Sequence, residues 1–537
     1  MKNDSCVIGI DFGTLSARAV VASVSDGTVL AESVYEYPHG VITGTLPSGG
    51  SLPDDWALAD PADYREALFS SLRSAVEKSG VCPEKIIAIG IDATTYTMVP
   101  CLADGTCLAE RREYAEKPMA WIKLWKHHGA VPQAEKIASV HAACGGFPAI
   151  ERYGGSVNCE WALPKLLETY ENAPEVAARA DRFCDLGEWL ARLLTGRFVN
   201  SIYSAGFKCM WTPEYGWPSD TALDMLSPGF ASFCREKFQG EITDFRHPCG
   251  LLTRSAAEAI GLPEGIPVAA PVGDGSAPGV YFCTSDSGSL AITLGTSVAM
   301  AFVSDVFRPL KGLNGVVKDG IVSNFYSYDA GQPCAGDMLD WYVKNQVPQS
   351  YEEAAKKEGK NIHAYLAGLA EEGGPYNNPL TVLDWFNGNR SILNNASLRG
   401  CMFGLSVQTR PEEIYCAMVQ AIACGMRVIL DHLASGGIIF SKIIICGGIA
   451  EKNEFIRRQY ASILGREVYL SSARNITALS SCMLAAIAAG IPPEEAAMNM
   501  GCREFLRVLP DETHKAQYDA IYSRYKKYHD LLGSFQV

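Results

Sequence analysis

Four short stretches bring acids, glycines and hydroxyls together where they could do chemistry: "GIDFGTLSAR" (9–18), "PVGDGSAPG" (271–279), "ITLGTSVAM" (292–300) and "CGGIAEKN" (446–453). Asp, Gly, Thr and Ser are ordinary turn formers, and each stretch taken alone reads as a turn. Taken together they suit phosphoryl transfer. That reaction needs in-line positioning, a carboxylate to take the proton of the attacking hydroxyl, and cations and N–H donors on the phosphate oxygens. Asp274, between two glycines after an apolar strand, can be the base. Asp11 can position an oxygen-ligated Mg²⁺ that keeps several waters. Gly13-Thr14 and Gly295-Thr296 offer two phosphate-facing turns, and Gly447-Gly448 lets a ligand approach the backbone.

These residues need rigid elements behind them. "CVIGI" and "ARAVVASV" read as strands on either side of the first tip, and "GTVLAESVYEYP" continues the sheet. "PADYREALFSSLRSAVEKSG" has helical periodicity, with Pro61 at its start and Gly80 at its end. "IIAIGIDA" returns as a buried strand. The grammar restarts at 288–305 as strand, tip and strand. Its Leu294-Gly295-Thr296-Ser297 echoes Phe12-Gly13-Thr14-Leu15-Ser16, with Thr293 where the first copy has Asp11. "KIIICGGIAEKNEFIRRQYASIL" reads as strand, glycine turn and helix. The pattern is α/β. It predicts two packed lobes around a cleft, residues 1–265 and 266–537, joined near "LTRSAAEAIGLPEGIPVAAP".

Composition narrows the partners. The 537 residues are 48% hydrophobic, enough for two substantial cores, and the formal net charge is −14. That balance argues against a nucleic-acid surface but allows a nucleotide held by backbone N–H groups and Mg²⁺. The 18 cysteines include no Cys-x-x-Cys pair and read as free, mostly buried thiols. Asp4 and Asp11 near the start do not suit a signal peptide, and no uninterrupted apolar run reaches a membrane span. A cytoplasmic protein without membrane or nucleic-acid partners is expected.

The order of these motifs resembles the FGGY carbohydrate kinases, which share the ribonuclease H-like fold of actin, hexokinase and the Hsp70 ATPase. Within that family the chain is most similar to the L-ribulokinases, through "YEYPHGV" (35–41), "LPDDWALADPADY" (52–64), "AWIKLWKHHGA" (120–130), "AGFKCMW" (205–211), "YDAGQ" (328–332), "LDWFNGNRS" (383–391) and "CGGIAEKN" (446–453). The resemblance implies ATP- and Mg²⁺-dependent phosphorylation of the 5-hydroxyl of a ketopentose. The N-terminal lobe would bind the sugar and the C-terminal lobe the nucleotide; a homodimer is compatible. The resemblance also implies roles for individual residues. Asp274 would be the base and Asp11 the metal-linked carboxylate. Gly13, Thr14, Ser16, Arg18, Gly295, Thr296, Gln332, Gly447, Gly448 and Asn453 would lie on the ATP side. Thr95, Trp121, Lys208 and Asp329 would join Asp274 on the sugar side. Read by themselves, Trp121 is core packing and Lys208 a solvated cation.

Three departures bear on the substrate and on closure. Asp329 replaces the usual Glu of Tyr-Glu-Ala-Gly-Gln. Thr95 replaces the small Ala of Asp-Phe-Thr-Ala-Cys-Thr. Ser480 and Ser481 stand where relatives often carry Gly and Ala, on a helix expected to pack between the lobes. The first two leave D-ribulose, xylulose or a pentitol as alternative substrates. The remaining alternative is a non-catalytic actin-like ATP-binding protein.

Overall fold

The computed structural model describes residues 4–534. Two seven-stranded sheets dominate it. In the first, Cys6–Phe12 runs antiparallel to Ser16–Ser23 and parallel to Ile86–Ala93. Val29–Glu36 continues it on one side, and Pro267–Ala269 and Pro248–Leu251 on the other. In the second, Ser289–Leu294 runs antiparallel to Val298–Ser304 and parallel to Lys442–Cys446. Tyr326–Gln332 follows on one side, and Val468–Ser471 and Phe505–Val508 on the other. Both sheets therefore place a hairpin beside a parallel strand in the same order. The short echo between the two tips belongs to a repeat of the whole sheet.

Covering on both faces explains the near-continuous apolar strands "CVIGIDF" and "KIIIC". The expected helix spans Pro61–Ser79, started by the Asp60 side chain and ended by Gly80 in the left-handed conformation (φ 62°). Helix Pro411–Ser435 is the one long and apolar enough to cross a membrane among the described residues. It lies buried in the core of the second lobe. All 18 cysteines are free, and only Cys82 and Cys144 are exposed.

The joint lies further along the chain than the glycine and proline cluster at 261–267 suggests. Pro267–Ala269 and Val272–Gly273 still pair with Ile86–Ala93, so the first sheet runs past residue 265. The lobes then exchange helices. Ala277–Cys283 leaves the first sheet and packs on the hairpin of the second; Ile476–Ala488 leaves the second and packs on Cys6–Phe12 and Ile86–Ala93. The two helices also pack on each other. A third region, built on Met98–Cys101, Arg182–Asp185 and helices such as Ala162–Asn172, has its own core.

Candidate active site

A cleft of about 250 Å³ opens between the lobes. Asp11, Gly13 and Thr14 line it from the first hairpin, and Thr293, Gly295 and Thr296 from the second. Asp274 lies on its wall beside the expected sugar residues Thr95, Lys208 and Asp329. Strand Val272–Gly273 delivers Asp274, whose N–H donates to Ala93 O at 2.9 Å. Its Oδ1 accepts the Gly275 N–H at 2.7 Å. Burial, reinforced by Asp11, pushes its carboxyl up to about 7. It can therefore take up a proton near neutral pH.

The turns are closed by their own backbone. Gly13 N–H donates to Ser16 O and Gly295 N–H to Ser297 O, both at 3.0 Å. Donors for a phosphate therefore begin at Thr14 and Thr296 rather than at the glycines. A Cβ on Gly295 or Gly448 would meet nothing within 4 Å, so both backbones face open space. Gly447 (φ 99°) is seated under the second tip, where a Cβ would come within 2.4 Å of Leu294 O. Neither Gly447 nor Gly448 lines the cleft itself; Gly448 presents bare backbone beside the second tip.

On the opposite side, Lys208 Nζ pairs with Asp329 Oδ2 at 3.2 Å and sits 4.4 Å from the Tyr96 ring centroid. Burial lowers the Lys208 pKa, and Asp329 partly offsets this. Tyr96 adopts φ 64° and donates its N–H to Asp185 Oδ2 at 2.7 Å. That turn delivers Thr95, Tyr96 and their strand end to the cleft. Lys165, buried behind it, donates to Tyr96 O at 2.7 Å and Leu124 O at 2.6 Å. Glu160 Oε2 meets Arg390 Nη2 at 3.1 Å, and Glu160 Oε1 meets His128 Nε2 at 3.0 Å. Burial alone would raise the Glu160 carboxyl; Arg390 and His128 outweigh it and hold it at about 2.

Several expected residues lie elsewhere. Trp121 does not line the cleft: its indole is buried and donates to Ala115 O at 3.0 Å. Trp161 and Trp125 line the cleft; Trp125 donates from Nε1 to Thr14 Oγ1 at 3.1 Å. It lies in the same "AWIKLWKHHGA" stretch, four residues on. Gln332 is buried in the second lobe, donating to Asp384 Oδ2 at 2.7 Å and Ile422 O at 3.1 Å. Arg18 pairs with Glu32 at 3.0 Å outside the cleft. Ser16 contributes a turn carbonyl rather than a cleft wall. Asn453 Oδ1 caps helix Glu454–Leu464 through Ile456 N–H at 3.3 Å. Arg390, Glu160, Tyr203 and Thr477 line the cleft without having been anticipated. Arg390 sits in "LDWFNGNRS", but its type and spacing alone do not distinguish it from a surface cation.

Fold and cleft together are those of a two-lobed, ATP-dependent sugar kinase. The chain belongs to the FGGY family of carbohydrate kinases: residues 6–280 match its N-terminal domain and residues 290–489 its C-terminal domain. Membership removes the non-catalytic alternative. The chain is 36% identical over 538 residues to a ribulokinase of Geobacillus thermodenitrificans, covering 98% of this chain and 94% of that one. Identity to a ribulokinase of Mycolicibacterium smegmatis is also 36%, over 533 residues, covering 98% and 94%. Among solved structures, a xylulose kinase from Rhodospirillum rubrum superposes with TM-score 0.75 at 20% identity, covering 98% of this chain and 99% of that one. A Plasmodium falciparum glycerol kinase with ADP superposes with TM-score 0.75 at 15% identity, covering 99% of each chain. At those identities the likeness is one of fold.

Proposed function

We propose that this kinase phosphorylates the 5-hydroxyl of a ketopentose, L-ribulose first among them, with Mg²⁺-ATP as donor. Similarity to ribulokinases along almost the whole chain supports the pentulose class. Asp274 carries the mechanism: it lines the same cleft as the Lys208–Asp329 pair and the two Gly-Thr turns. The sugar hydroxyl gives its proton to an Asp274 oxygen as its own oxygen attacks the γ-phosphorus, and ADP leaves with the bridging oxygen's electron pair. Thr14 and Thr296 donate to the phosphate oxygens. Lys208, Asp329 and the Trp125 indole hold the sugar.

Asp11 suits Mg²⁺. One carboxylate beside open space fits a hard cation that takes its remaining ligands from water and phosphate. Among the described residues no cluster of three His, Cys, Asp or Glu forms a closed cage. When bound there, Mg²⁺ would neutralise charge on the polyphosphate.

A second reading, D-ribulose, xylulose or a pentitol, rests on the short Asp329 side chain, already engaged by Lys208, and on Thr95, whose hydroxyl stands beside Tyr203. One experiment separates the readings and tests the base: rank ketopentoses and pentitols by kcat/KM for the wild type, then repeat with Asp274→Asn. L-ribulose is expected first. The variant should lose about two to four orders of magnitude in kcat while still binding sugar. L-ribulose ranked last, or an Asp274→Asn enzyme near wild-type turnover, would overturn the corresponding half of the proposal.

A further inference from the structure

Asp11, on the cleft wall, is held by a side chain of the other lobe. Ile-Gly-Ile-Asp occurs twice, at 8–11 and 89–92. Parallel pairing sets the copies side by side, Gly9 with Gly90 and Asp11 with Asp92. Residues two apart on a strand share a face, and here that face meets helix Ile476–Ala488. The glycines are the floor on which the helix rests. A Cβ on Gly9 would fall 2.2 Å from Ala478 O, and one on Gly90 would fall 1.9 Å from Ser481 O.

One helical turn separates Thr477 from Ser481, so both hydroxyls point the same way. Each donates to one acid: Thr477 Oγ1 to Asp11 Oδ2 at 2.8 Å, and Ser481 Oγ to Asp92 Oδ2 at 2.6 Å. Asp92 is fully buried, its Oδ1 receives no hydrogen bond, and its neighbour is the Asp11 carboxyl. Ser480, the adjacent hydroxyl, is spent within the helix on Ile476 O at 2.7 Å. Of the two serines that depart from the usual small residues, only Ser481 reaches an acid.

We propose that Thr477 and Ser481 are positioning residues for metal use. The helix that the nucleotide lobe lends to the sugar lobe orients Asp11 directly through Thr477 and indirectly through Ser481 and Asp92. The seating of one lobe on the other thereby sets how Asp11 faces the nucleotide-bound cation. This inference rests on the reading of Asp11 as the metal-linked carboxylate.

The test needs no turnover. ADP affinity is measured against Mg²⁺ concentration for the wild type, Asp11→Asn, Thr477→Val, Ser481→Ala and Ser480→Ala, with sugar binding measured separately. Thr477→Val and Ser481→Ala are expected to raise the half-saturating Mg²⁺ on the order of tenfold, the scale for residues that orient a metal ligand. Sugar affinity should hold, and Ser480→Ala should leave the Mg²⁺ requirement in place whatever it does to the melting temperature. If Asp11→Asn shifts the requirement and the two hydroxyl variants behave like Ser480→Ala, the positioning role is wrong and the metal reading survives. If Asp11→Asn itself shifts nothing, both fall. Should Ser481→Ala fail to fold, Thr477→Val decides the matter, because Thr477 lies on the cleft wall.

Discussion

The two hairpins share a backbone plan but not a chemistry. Asp11 faces its parallel neighbour Asp92; at the same place in the second sheet Thr293 faces Cys446. The acid pair takes hydroxyls from a helix of the other lobe. The neutral pair largely satisfies itself, with Thr293 Oγ1 at 3.6 Å from Cys446 Sγ and that thiol directed at Ile292 O. Burial and the Asp11 charge drive the Asp92 carboxyl well above the usual range. On the proposed function, the repeated scaffold supplies two turns that meet a polyphosphate, and one of them brings a negative charge that calls for a cation. The neutral turn can approach the same phosphates without repulsion.

Making the first hairpin like the second should have the largest effect. Asp11→Thr is expected to lower kcat on the order of 10²-fold, the scale for losing one preorganised electrostatic contact to the transition state. Sugar KM should change little, since Lys208, Asp329 and Trp125 are untouched. Steady-state rates with Mg²⁺ and ATP varied separately check this. Unchanged turnover and Mg²⁺ dependence would mean that the acid does not distinguish the hairpins.

The next contrast is steric. Gly9 and Gly90 correspond to Ala291 and Ile444 in the second sheet, so at these positions only the first sheet's strands carry glycines that let a helix backbone approach. Gly90→Ala would set its methyl against the Ser481 carbonyl, a backbone atom that cannot swing away. Overpacking of this kind costs about 1–3 kcal/mol, and thermal melts should record the loss. A wild-type melting temperature would show that the helix can lift off the sheet freely.

Much of this was legible from residue order. Strands with several consecutive apolar residues, the Pro61-to-Gly80 helix signals and the repeated tip declare a two-lobed α/β chain. Asp11, Asp274 and the two Gly-Thr turns, singled out by residue type, do come together on one cleft. What escaped depends on which way side chains point. Trp121 and Trp125 lie in one short stretch, and nothing in their spacing says which indole turns inward to the Ala115 carbonyl and which reaches Thr14. Gln332 follows a strand into the second core, where Asp384 takes its amide. The exchanged helices hid the joint, because a chain that crosses between sheets leaves no linker composition. The repeated Ile-Gly-Ile-Asp was visible, yet its meaning required the register that sets Asp11 beside Asp92.

The smallest expected effect sharpens the comparison from the neutral side. Thr293→Val keeps the branched shape that suits a strand and removes only the hydroxyl facing Cys446. Sulfur is a weak hydrogen-bonding partner, so the stability change should stay below about 1 kcal/mol. The turnover number should remain within about threefold of wild type, since that ratio corresponds to well under 1 kcal/mol on the barrier. Paired measurements of kcat and melting temperature on Thr293→Val and Asp11→Thr put the two hairpins on one scale. A loss at Thr293 as large as that at Asp11 would show that the second turn also acts through this side chain. Thr296, beyond it, would then no longer account alone for the proposed phosphate contact of that turn.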